Sequence, residues 1–274
     1  MHAPSISLIT VTYNSAAALK HFWGDWPSDI GEWIVVDNAS TDGSASVARA
    51  LGARVVQLDH NVGFSAANNI GAQEATGDII GFLNPDVSPT REGVDALSAR
   101  LRAGEMLVAP QLINVDGTSQ ENGRNAPYPL RKLAHMFAPN SRVNQRYVRH
   151  VDGGLQRVIW VMGAAVFMNM DTFDRIGGWD AGYFIYYEDS DICLRALEKN
   201  IPTFVDGDVR WVHGWARETR TTASFSIWKH EIRSAARFYR LHPNCILPIG
   251  PRSGNIRGVE ALHGHDNSLS PLRR

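Results

Sequence analysis

The first hundred residues alternate short apolar runs with helical patterns, and this rhythm constrains the fold more than any other feature. The apolar runs predict strands at residues 6–11, 33–36, 55–58 and 79–83. Helical patterns follow them at 16–22, 44–51, 65–75 and 93–101, and Gly52, Gly77 and Gly104 mark helix ends. We therefore predict an α/β fold with a mostly parallel central sheet flanked by helices.

The alternation weakens after a fifth strand at 106–110. Residues 111–157 predict loops with an irregular insertion at 127–150. Further strands are predicted at 158–168, 203–205 and 210–212, and helices at 172–176, after the 188–191 acidic run, and at 226–241. We predict one domain over residues 1–248 and a loosely ordered tail over 249–274, which is rich in Gly, Ser, Pro, Arg and His.

Composition excludes several classes of protein. With 44% hydrophobic and 20% charged residues and a formal net charge of -1, the chain is typical of a soluble globular protein and offers no footprint for nucleic acid. Cys193 and Cys245 lack the spacing of a zinc site or a disulfide framework, which favours a reducing cytosol. The N-terminus does not resemble a signal peptide, and the longest apolar run is shorter than the roughly 20 residues of a membrane span. We expect a cytoplasmic protein.

Mostly polar residues follow the four predicted strands. Ligands of parallel sheets bind beyond the carboxyl ends of the strands, so these positions are candidate site residues. They are Thr12, Tyr13 and Asn14 after the first strand, Asp37, Asn38 and Ser40 after the second, Asn61, Gly63 and Phe64 after the third, and Asn84 and Asp86 after the fourth. Each group alone is also typical of turns and helix N-caps. Their shared register at one sheet edge favours a binding site.

Three carboxylates lie within four residues behind a pair of tyrosines, at Glu188, Asp189 and Asp191. Mutual repulsion, with burial, raises the pKa of at least one of them and suits it to act as a general base. The alternative is the start of a helix, where the helix dipole attracts acidic residues. The segment alone leaves both interpretations open.

Taken in order, these motifs resemble the family 2 inverting glycosyltransferases with a GT-A fold, in particular the bacterial rhamnosyltransferase-like enzymes of polysaccharide biosynthesis. The resemblance covers roughly residues 6–213. Its motifs are Val11-Thr12-Tyr13-Asn14, the run from Val35 to Ser44, Asn61-Val62-Gly63-Phe64 with Asn68-Asn69, Asn84-Pro85-Asp86, Gly163-Ala164, Ile176-Gly177-Gly178-Trp179-Asp180 and Tyr187-Glu188-Asp189-Ser190-Asp191.

The resemblance implies a nucleotide-diphosphate sugar as donor, with UDP or dTDP as the nucleotide and rhamnose among the sugars. It assigns the donor to about residues 1–110 and the acceptor and catalysis to about 111–248. Asp37 matches the position that binds the pyrimidine, and Asn61, Gly63 and Asn68 would border the diphosphate at a helix N-terminus. The implied donor-binding set is Thr12, Tyr13, Asn14, Asp37, Asn38, Ser40, Asn61, Gly63, Phe64, Asn68 and Asn84. For Asn68, a polar helix face is the alternative.

The resemblance also implies a divalent metal, Mg²⁺ or Mn²⁺, held by Asp86 and His213. Asn84-Pro85-Asp86 occupies the place of the family's Asp-x-Asp motif, so one carboxylate is replaced by an amide. That departure weakens the expectation of a metal, and a hydrogen-bonded structural histidine is the alternative for His213.

Catalysis is expected to depend on Asp189 as general base, with Glu188 beside it to tune it. The implied acceptor is a saccharide, free or lipid-linked, of cell-surface polysaccharide synthesis. The expected acceptor-binding residues are Trp160, Gly163, Trp179, Asp180 and Asp191. Core packing is the alternative for the tryptophans and a helix N-terminal carboxylate for Asp191.

The helix at 226–241 carries Lys229, Arg233, Arg237 and Arg240 among apolar residues. It predicts either peripheral contact with the inner face of the plasma membrane or a core-facing helix with a solvated basic face. The oligomeric state stays open.

The sequence also bears on two other functions. A dinucleotide-dependent oxidoreductase would carry a GxGxxG motif after the first strand, where this chain has Tyr13-Asn14-Ser15-Ala16-Ala17. A catalytically silent nucleotide-sugar or glycan-binding module is the alternative that Asn84 and Ala181 keep open, since relatives often carry Asp and Glu at those two positions. The acidic cluster and Asp86 favour an enzyme.

Overall fold

A computed structural model describes residues 5–26, 29–149, 151–214, 225–246 and 256. Its first half alternates strands and helices as predicted. The strands are β1 (Ile6–Thr12), β2 (Glu32–Asp37), β3 (Arg54–Gln57) and β4 (Ile79–Leu83), and the helices are α1 (Ala16–Phe22), α2 (Ser44–Ala50), α3 (Phe64–Glu74) and α4 (Arg91–Ala103). The four strands are parallel in the order β3-β2-β1-β4. This order brings their carboxyl ends to one edge.

The second half completes the sheet and adds a small one. Its strands are β5 (Val87–Ser88), β6 (Leu107–Ile113), β7 (Gly123–Arg124), β8 (Val148–Arg149), β9 (Leu155–Val158), β10 (Trp160–Val161), β11 (Ala165–Asn169) and β12 (Thr203–His213). Its helices are α5 (Pro129–Phe137), α6 (Arg142–Tyr147), α7 (Met170–Ile176), α8 (Glu188–Glu198) and α9 (Phe225–Leu241), followed by a 3-10 turn at Pro243–Cys245.

The central sheet continues from β4 in the order β11-β6-β12-β5, with β9 also paired to β12. β11 runs antiparallel between β4 and β6, whereas β6 and β12 are parallel. The predicted α/β fold with helices around a central sheet is confirmed. β11 separates the four parallel strands β3-β2-β1-β4 from the parallel pair β6-β12, and β5 and β9 run antiparallel to β12.

Three sequence predictions of secondary structure were wrong in this half. Residues 111–157, predicted as loops with an irregular insertion, contain α5, α6 and short strands. Pro129 occupies the first turn of α5, where proline is tolerated. The 158–168 run divides because Trp160 and Val161 pair with β7, whereas Ala165–Asn169 pairs with β4. The two short strands at 203–205 and 210–212 are one strand, β12, with a register shift between Asp206 and Arg210.

Both faces of the central sheet are buried. Successive side chains of β1 point to opposite faces, so Leu8 packs with Leu19 of α1 and Leu97 of α4, and Ile9 packs in the cluster that contains Ala72 of α3. The acidic cluster begins α8, on the α3 side of the sheet. This layering puts the strand-end loops and α8 within reach of each other.

No helix within the described residues is long and apolar enough to cross a bilayer. The predicted tail at 249–274 lies outside the described residues except for Ile256, which is buried against the core.

Candidate active site

The ends of β1 and β2 are joined through Asp37. Thr12 and Asp37 are register partners, and the Thr12 hydroxyl donates to Asp37 Oδ1 over 3.1 Å. The Ser40 amide donates to the other carboxylate oxygen over 3.3 Å. Asp37 is fully buried, and these two donors provide hydrogen bonds to both of its carboxyl oxygens. In this geometry Asp37 supports the loop that follows β2.

The two loops also bond to each other through Asn14. Its amide donates to Ser40 Oγ over 2.9 Å, and its side-chain oxygen accepts from the Thr41 amide over 2.9 Å. Asn14 has a left-handed backbone (φ 53°), a conformation that asparagine tolerates better than most residues. Tyr13 is 55% exposed beside it. The arrangement presents an aromatic ring at a rigid sheet edge.

Asn38 fixes the loop that follows β3. Its side chain donates to Asn61 Oδ1 over 2.9 Å and accepts from the Val62 amide over 2.8 Å. The Gly63 amide also donates to Asn61 Oδ1, over 2.9 Å. Because both Asn38 and Asn61 are consumed in holding this turn, they shape the start of α3.

Gly63 and Phe64 connect that turn to the loop before α8. The Phe64 amide donates to the Phe184 carbonyl over 2.7 Å. Gly63 has φ 88°, and a Cβ there would lie 2.7 Å from the same carbonyl oxygen. Only glycine permits this approach. The strand-end motifs and the acidic segment are thus in direct backbone contact.

The two asparagines of α3 have different roles. Asn68 is buried and donates to the Phe64 carbonyl over 3.1 Å, which favours a structural role over a diphosphate contact. Asn69 was absent from the predicted site, although it stands next in the Asn-Asn pair. Its side chain donates to the Trp179 carbonyl over 2.7 Å and accepts from the Trp179 amide over 2.9 Å. Asn69 therefore fixes the turn that leads into the acidic segment.

The residues immediately before α8 are strained. Tyr186 and Tyr187 both have left-handed backbones, with φ of 71° and 69°. Two consecutive non-glycine residues in this region cost about 1–3 kcal/mol each, and such strain clusters at functional sites. It is held in place by the Phe64–Phe184 bond and by Phe238, whose ring lies 5.2 Å from that of Tyr187. The strain sets the direction in which α8 begins.

Asp189 is partly exposed at this helix start. Its Oδ1 accepts from the Ser190 amide over 2.6 Å, and its Oδ2 from the Gly163 amide over 3.4 Å. The next residue, Ala164, accepts through its carbonyl from the Asn84 amide over 2.8 Å. Gly163 and Ala164 therefore join the predicted base directly to the Asn84-Pro85-Asp86 loop.

Glu188 is buried beside Asp189. Burial, followed by the negative charge of Asp189, raises the pKa of Glu188 to about 8. Its Oε2 is buried without a hydrogen-bond partner in the described part of the chain. Both observations favour a protonated Glu188 near neutral pH.

Lys132, on α5, was not among the predicted site residues. Its Nζ lies 4.2 Å from the centre of the Tyr187 ring and 4.9 Å from that of Trp160. Burial lowers the pKa of Lys132 to about 8, and the charge of Asp189 opposes that shift. A helix that the sequence analysis did not predict thus contributes a cation beside the acidic cluster. Its sequence signal was the amphipathic pattern of 129–137.

The two tryptophans predicted to bind the acceptor are engaged in core packing. Trp160 is 3% exposed and donates through Nε1 to the Asn125 carbonyl, and Trp179 is 2% exposed. Neither ring offers a face to a sugar in this structure. The geometry favours the core interpretation of both.

The two acidic acceptor candidates are held in ion pairs. Asp191 is buried and accepts from Arg195 over 2.7 Å, with His242 Nε2 2.8 Å from its other oxygen. Burial opposes ionisation, but the contacts with His242 and Arg195 outweigh it and lower the pKa of Asp191. The Asp180 carboxylate accepts hydrogen bonds from both Nε and Nη2 of Arg237, over 2.8–2.9 Å. These carboxylates support the fold around Asp189.

α9 packs on the loop before α8. Arg237 pairs with Asp180, and Ser234 donates to the Ile185 carbonyl over 2.8 Å. The ring of His230 stacks on Phe184 at 4.5 Å. The core-facing interpretation therefore holds for this face of α9, which clamps the strained segment.

Asp86 and His213 meet across β5 and β12. His213 Nε2 lies 3.4 Å from Asp86 Oδ1, and the Gly214 amide donates to the Asp86 carbonyl over 2.7 Å. No third His, Cys, Asp or Glu completes a metal cluster with them among the residues described. The site thus presents one carboxylate and one imidazole.

Gln120 determines the proton position on His213. Its Nε2 donates to the His213 carbonyl and to Asn114 Oδ1, both over 2.9 Å, which orients the amide. Its Oε1 consequently faces His213 Nδ1 at 2.8 Å, so Nδ1 carries the proton and Nε2 is the lone-pair nitrogen of the neutral ring. This is the arrangement of a metal-ligating histidine with a supporting partner. The donor set fits a divalent ion that keeps its remaining positions for water and phosphate oxygens.

A comparison with protein families gives the decisive observation. The family model described as glycosyl transferase family 2 matches residues 7–169, more than half of the chain. The chain belongs to glycosyl transferase family 2. Membership makes it a glycosyltransferase, and the matched range contains every strand-end motif described above.

Two curated relatives of this glycosyltransferase cover different shares of its length. The N-acetylglucosaminyl-diphospho-decaprenol L-rhamnosyltransferase of Mycobacterium tuberculosis is 27% identical over 297 residues, covering 98% of this chain and 94% of the relative. The low-salt glycan biosynthesis hexosyltransferase Agl10 of Haloferax volcanii is 24% identical over 203 residues, covering 72% of this chain and 62% of the relative. The chain therefore spans less than two thirds of Agl10 but nearly all of the mycobacterial relative.

Solved structures confirm the predicted GT-A fold. The mannosyltransferase PcManGT from Pyrobaculum calidifontis, solved with GDP-Man and Mn²⁺, superposes on this glycosyltransferase with a TM-score of 0.56 at 17% identity. The match covers 99% of this chain and 77% of the mannosyltransferase. At this identity the likeness concerns the fold.

Proposed function

We propose that this glycosyltransferase transfers a sugar from a pyrimidine-nucleotide diphosphate donor to an acceptor hydroxyl with inversion, and that Asp189 is its general base. The observation that carries the proposal is the backbone link through Gly163 and Ala164. It joins a partly exposed carboxylate at the start of α8 to the Asn84-Pro85-Asp86 loop. A base and a diphosphate-binding loop must be this close for a single displacement.

In the proposed reaction, the acceptor oxygen attacks the anomeric carbon of the donor sugar while Asp189 removes the hydroxyl proton. The bond between that carbon and the diphosphate oxygen breaks, and the nucleotide diphosphate leaves with the bonding electrons. The Gly163 and Ser190 amides donate to the Asp189 carboxylate and hold it in place for the transfer. The protonated Glu188 avoids a second negative charge beside it. Assistance of this kind contributes about 10²–10⁴ in rate.

The nucleoside is assigned to the edge formed by β1 and β2. The exposed Tyr13 ring offers a stacking surface, and Asn14 and Ser40 hold its loop. For Asp37 to bind a pyrimidine N–H, this buried carboxyl group would have to become accessible and exchange the 3.3 Å bond from the Ser40 amide for it. The long distance of that bond makes it the weaker of the two contacts on Asp37.

Asp86 and His213 would hold the divalent ion, Mg²⁺ or Mn²⁺. The ion's contribution is to neutralise charge on the leaving diphosphate. Support comes from the orientation of His213 by Gln120 and from the Mn²⁺ in the mannosyltransferase structure. With an amide at Asn84, the protein supplies fewer negative ligands than an Asp-x-Asp site, so more of the coordination falls to the donor's phosphates.

The name of the mycobacterial relative supports a finer assignment of substrates. By its name, that relative transfers L-rhamnose to N-acetylglucosaminyl-diphospho-decaprenol, and the present chain covers 94% of its length. We propose dTDP-linked rhamnose as the first donor to test, with UDP-linked sugars next, and a lipid-linked saccharide as acceptor. Such an acceptor would place the enzyme at the inner face of the plasma membrane.

The variant Asp189→Asn tests the base. We expect turnover to fall by about 10²–10⁴ while donor affinity, measured by calorimetry, stays within twofold of the parent. Asp171→Asn is the matched control, because Asp171 is also a carboxylate in the first turn of a helix, α7, outside the site. Undiminished turnover in Asp189→Asn contradicts the assignment. A product that retains the donor's anomeric configuration, seen by NMR, contradicts the single displacement.

A further inference from the structure

The apolar side chains of α5 face outward. Leu130, Leu133 and Phe137 are 67%, 52% and 74% exposed, and their spacing puts them on one side of the helix. The polar side faces the protein, where Lys132 lies over Tyr187 and His135 bonds to Asn144 over 3.0 Å. A helix of a globular protein normally buries its apolar side. Within the described part of the chain nothing covers this apolar side, so its reversed orientation indicates a binding surface.

The segment around this helix is strongly basic. Residues 127–150 contain five Lys and Arg and no Asp or Glu, in a chain whose formal net charge is -1. Arg142 and Arg146 of α6 are exposed beside α5. Positive charge next to outward apolar side chains complements an anionic lipid surface. A protein partner with an apolar groove would not require this excess of basic residues.

A second exposed apolar pair continues the surface. Trp228 and Ile232 of α9 are 49% and 63% exposed. They lie on the same helical stripe as Tyr239, whose hydroxyl donates to the Pro127 carbonyl over 3.0 Å. The stripe on α9 therefore leads to the start of the basic segment. Tryptophan is a residue that favours the interface of a bilayer.

We propose that the outer side of α5, flanked by the basic residues of α6, docks this glycosyltransferase on an anionic bilayer. The inference rests on the proposed function in one respect, since docking would bring a lipid-linked acceptor to the site. The proposed membrane contact therefore lies on α5, whereas the sequence suggested the basic helix α9. The inner side of the same helix holds Lys132 against Tyr187, so the bilayer would lie about one helix diameter, roughly 10 Å, from the acidic cluster.

Vesicle flotation with the full chain tests the proposal. The probes are vesicles of phosphatidylcholine alone and of phosphatidylcholine with phosphatidylglycerol. We expect binding to the anionic vesicles, weakened about 100-fold or more in the double variant Leu133→Glu/Phe137→Glu. Arg142→Glu/Arg146→Glu should weaken it to a similar degree on anionic vesicles, and added salt should do the same. Val115→Glu is the matched control, because Val115 is 75% exposed in a turn outside this segment. This variant should bind vesicles like the parent.

The outcomes separate this proposal from the function itself. Donor binding, measured by calorimetry without vesicles, should be the same in the parent and in all these variants. If the parent itself binds no donor, the donor assignment is contradicted and the docking surface is unaffected. Parent-like vesicle binding by Leu133→Glu/Phe137→Glu overturns the proposal, as does a parent that ignores anionic vesicles. A dimer of the parent in light scattering that Leu133→Glu dissolves would overturn it in favour of a second copy of the chain.

Discussion

Replacing Gln120 with leucine should weaken metal binding without touching a ligand. Gln120 Oε1 lies 2.8 Å from His213 Nδ1, so the change removes the acceptor that sets the tautomer and ring orientation of His213. Loss of such a supporting contact typically costs about 10–100-fold in metal affinity, or roughly 1.4–2.7 kcal/mol. A buried N–H deprived of its acceptor costs about 1–3 kcal/mol, which agrees in size. We therefore expect a 10- to 100-fold weaker Mn²⁺ affinity.

The assay is a Mn²⁺ titration in the presence of UDP, followed by electron paramagnetic resonance of the free ion. Asn144→Leu is the matched control, because Asn144 Oδ1 makes the same type of contact, 3.0 Å, with Nδ1 of another histidine, His135. The control should bind Mn²⁺ like the parent, and Asp86→Ala should lose it. Parent-like Mn²⁺ affinity in Gln120→Leu would contradict the supporting role of Gln120, and a parent that binds no Mn²⁺ with UDP would contradict the metal site itself.

Two further predictions concern the segment before α8. The pKa of Glu188 is raised from 4.5 to about 8, so the folded state holds this proton more tightly and loses stability as pH rises between those values. The melting temperature of Glu188→Gln, relative to that of the parent, should therefore rise from pH 5 to pH 8. A difference that does not change with pH would contradict this. Gly63→Ala should destabilise the chain by about 2–4 kcal/mol in urea, against about 1 kcal/mol for Gly43→Ala. Both glycines are left-handed, but only at Gly63 would a Cβ meet Phe184, so equal losses would count against the close contact.

The donor half of the fold could be predicted because its signals are local. Each of the first four strands is an apolar run followed by polar turn residues, and the parallel crossover rule brings those turns to one edge. The structure confirms the elements to within about two residues, and it places Asp37 and Ser40 in contact with Thr12 and Asn14. Periodicity does not say, however, whether a polar side chain faces a ligand or its neighbour. The side chains of Asn38 and Asn68 form hydrogen bonds with backbone groups of Val62 and Phe64, and these contacts are visible only in the folded structure.

The acceptor half was harder to predict because its contacts join residues far apart in the chain. Lys132 contacts Tyr187 from a helix whose flanking prolines and asparagines led to the prediction of a loop. Arg237 binds Asp180, which lies 57 residues earlier in the sequence. The hydrophobic pattern of α5 was present in the sequence, but pattern alone predicts that an apolar side turns inward. Here the inward side is claimed by a lysine whose ammonium is stabilised by two aromatic rings and by the acidic cluster. The same helix is thus tied to the site by its polar side, which leaves its apolar side exposed among the described residues.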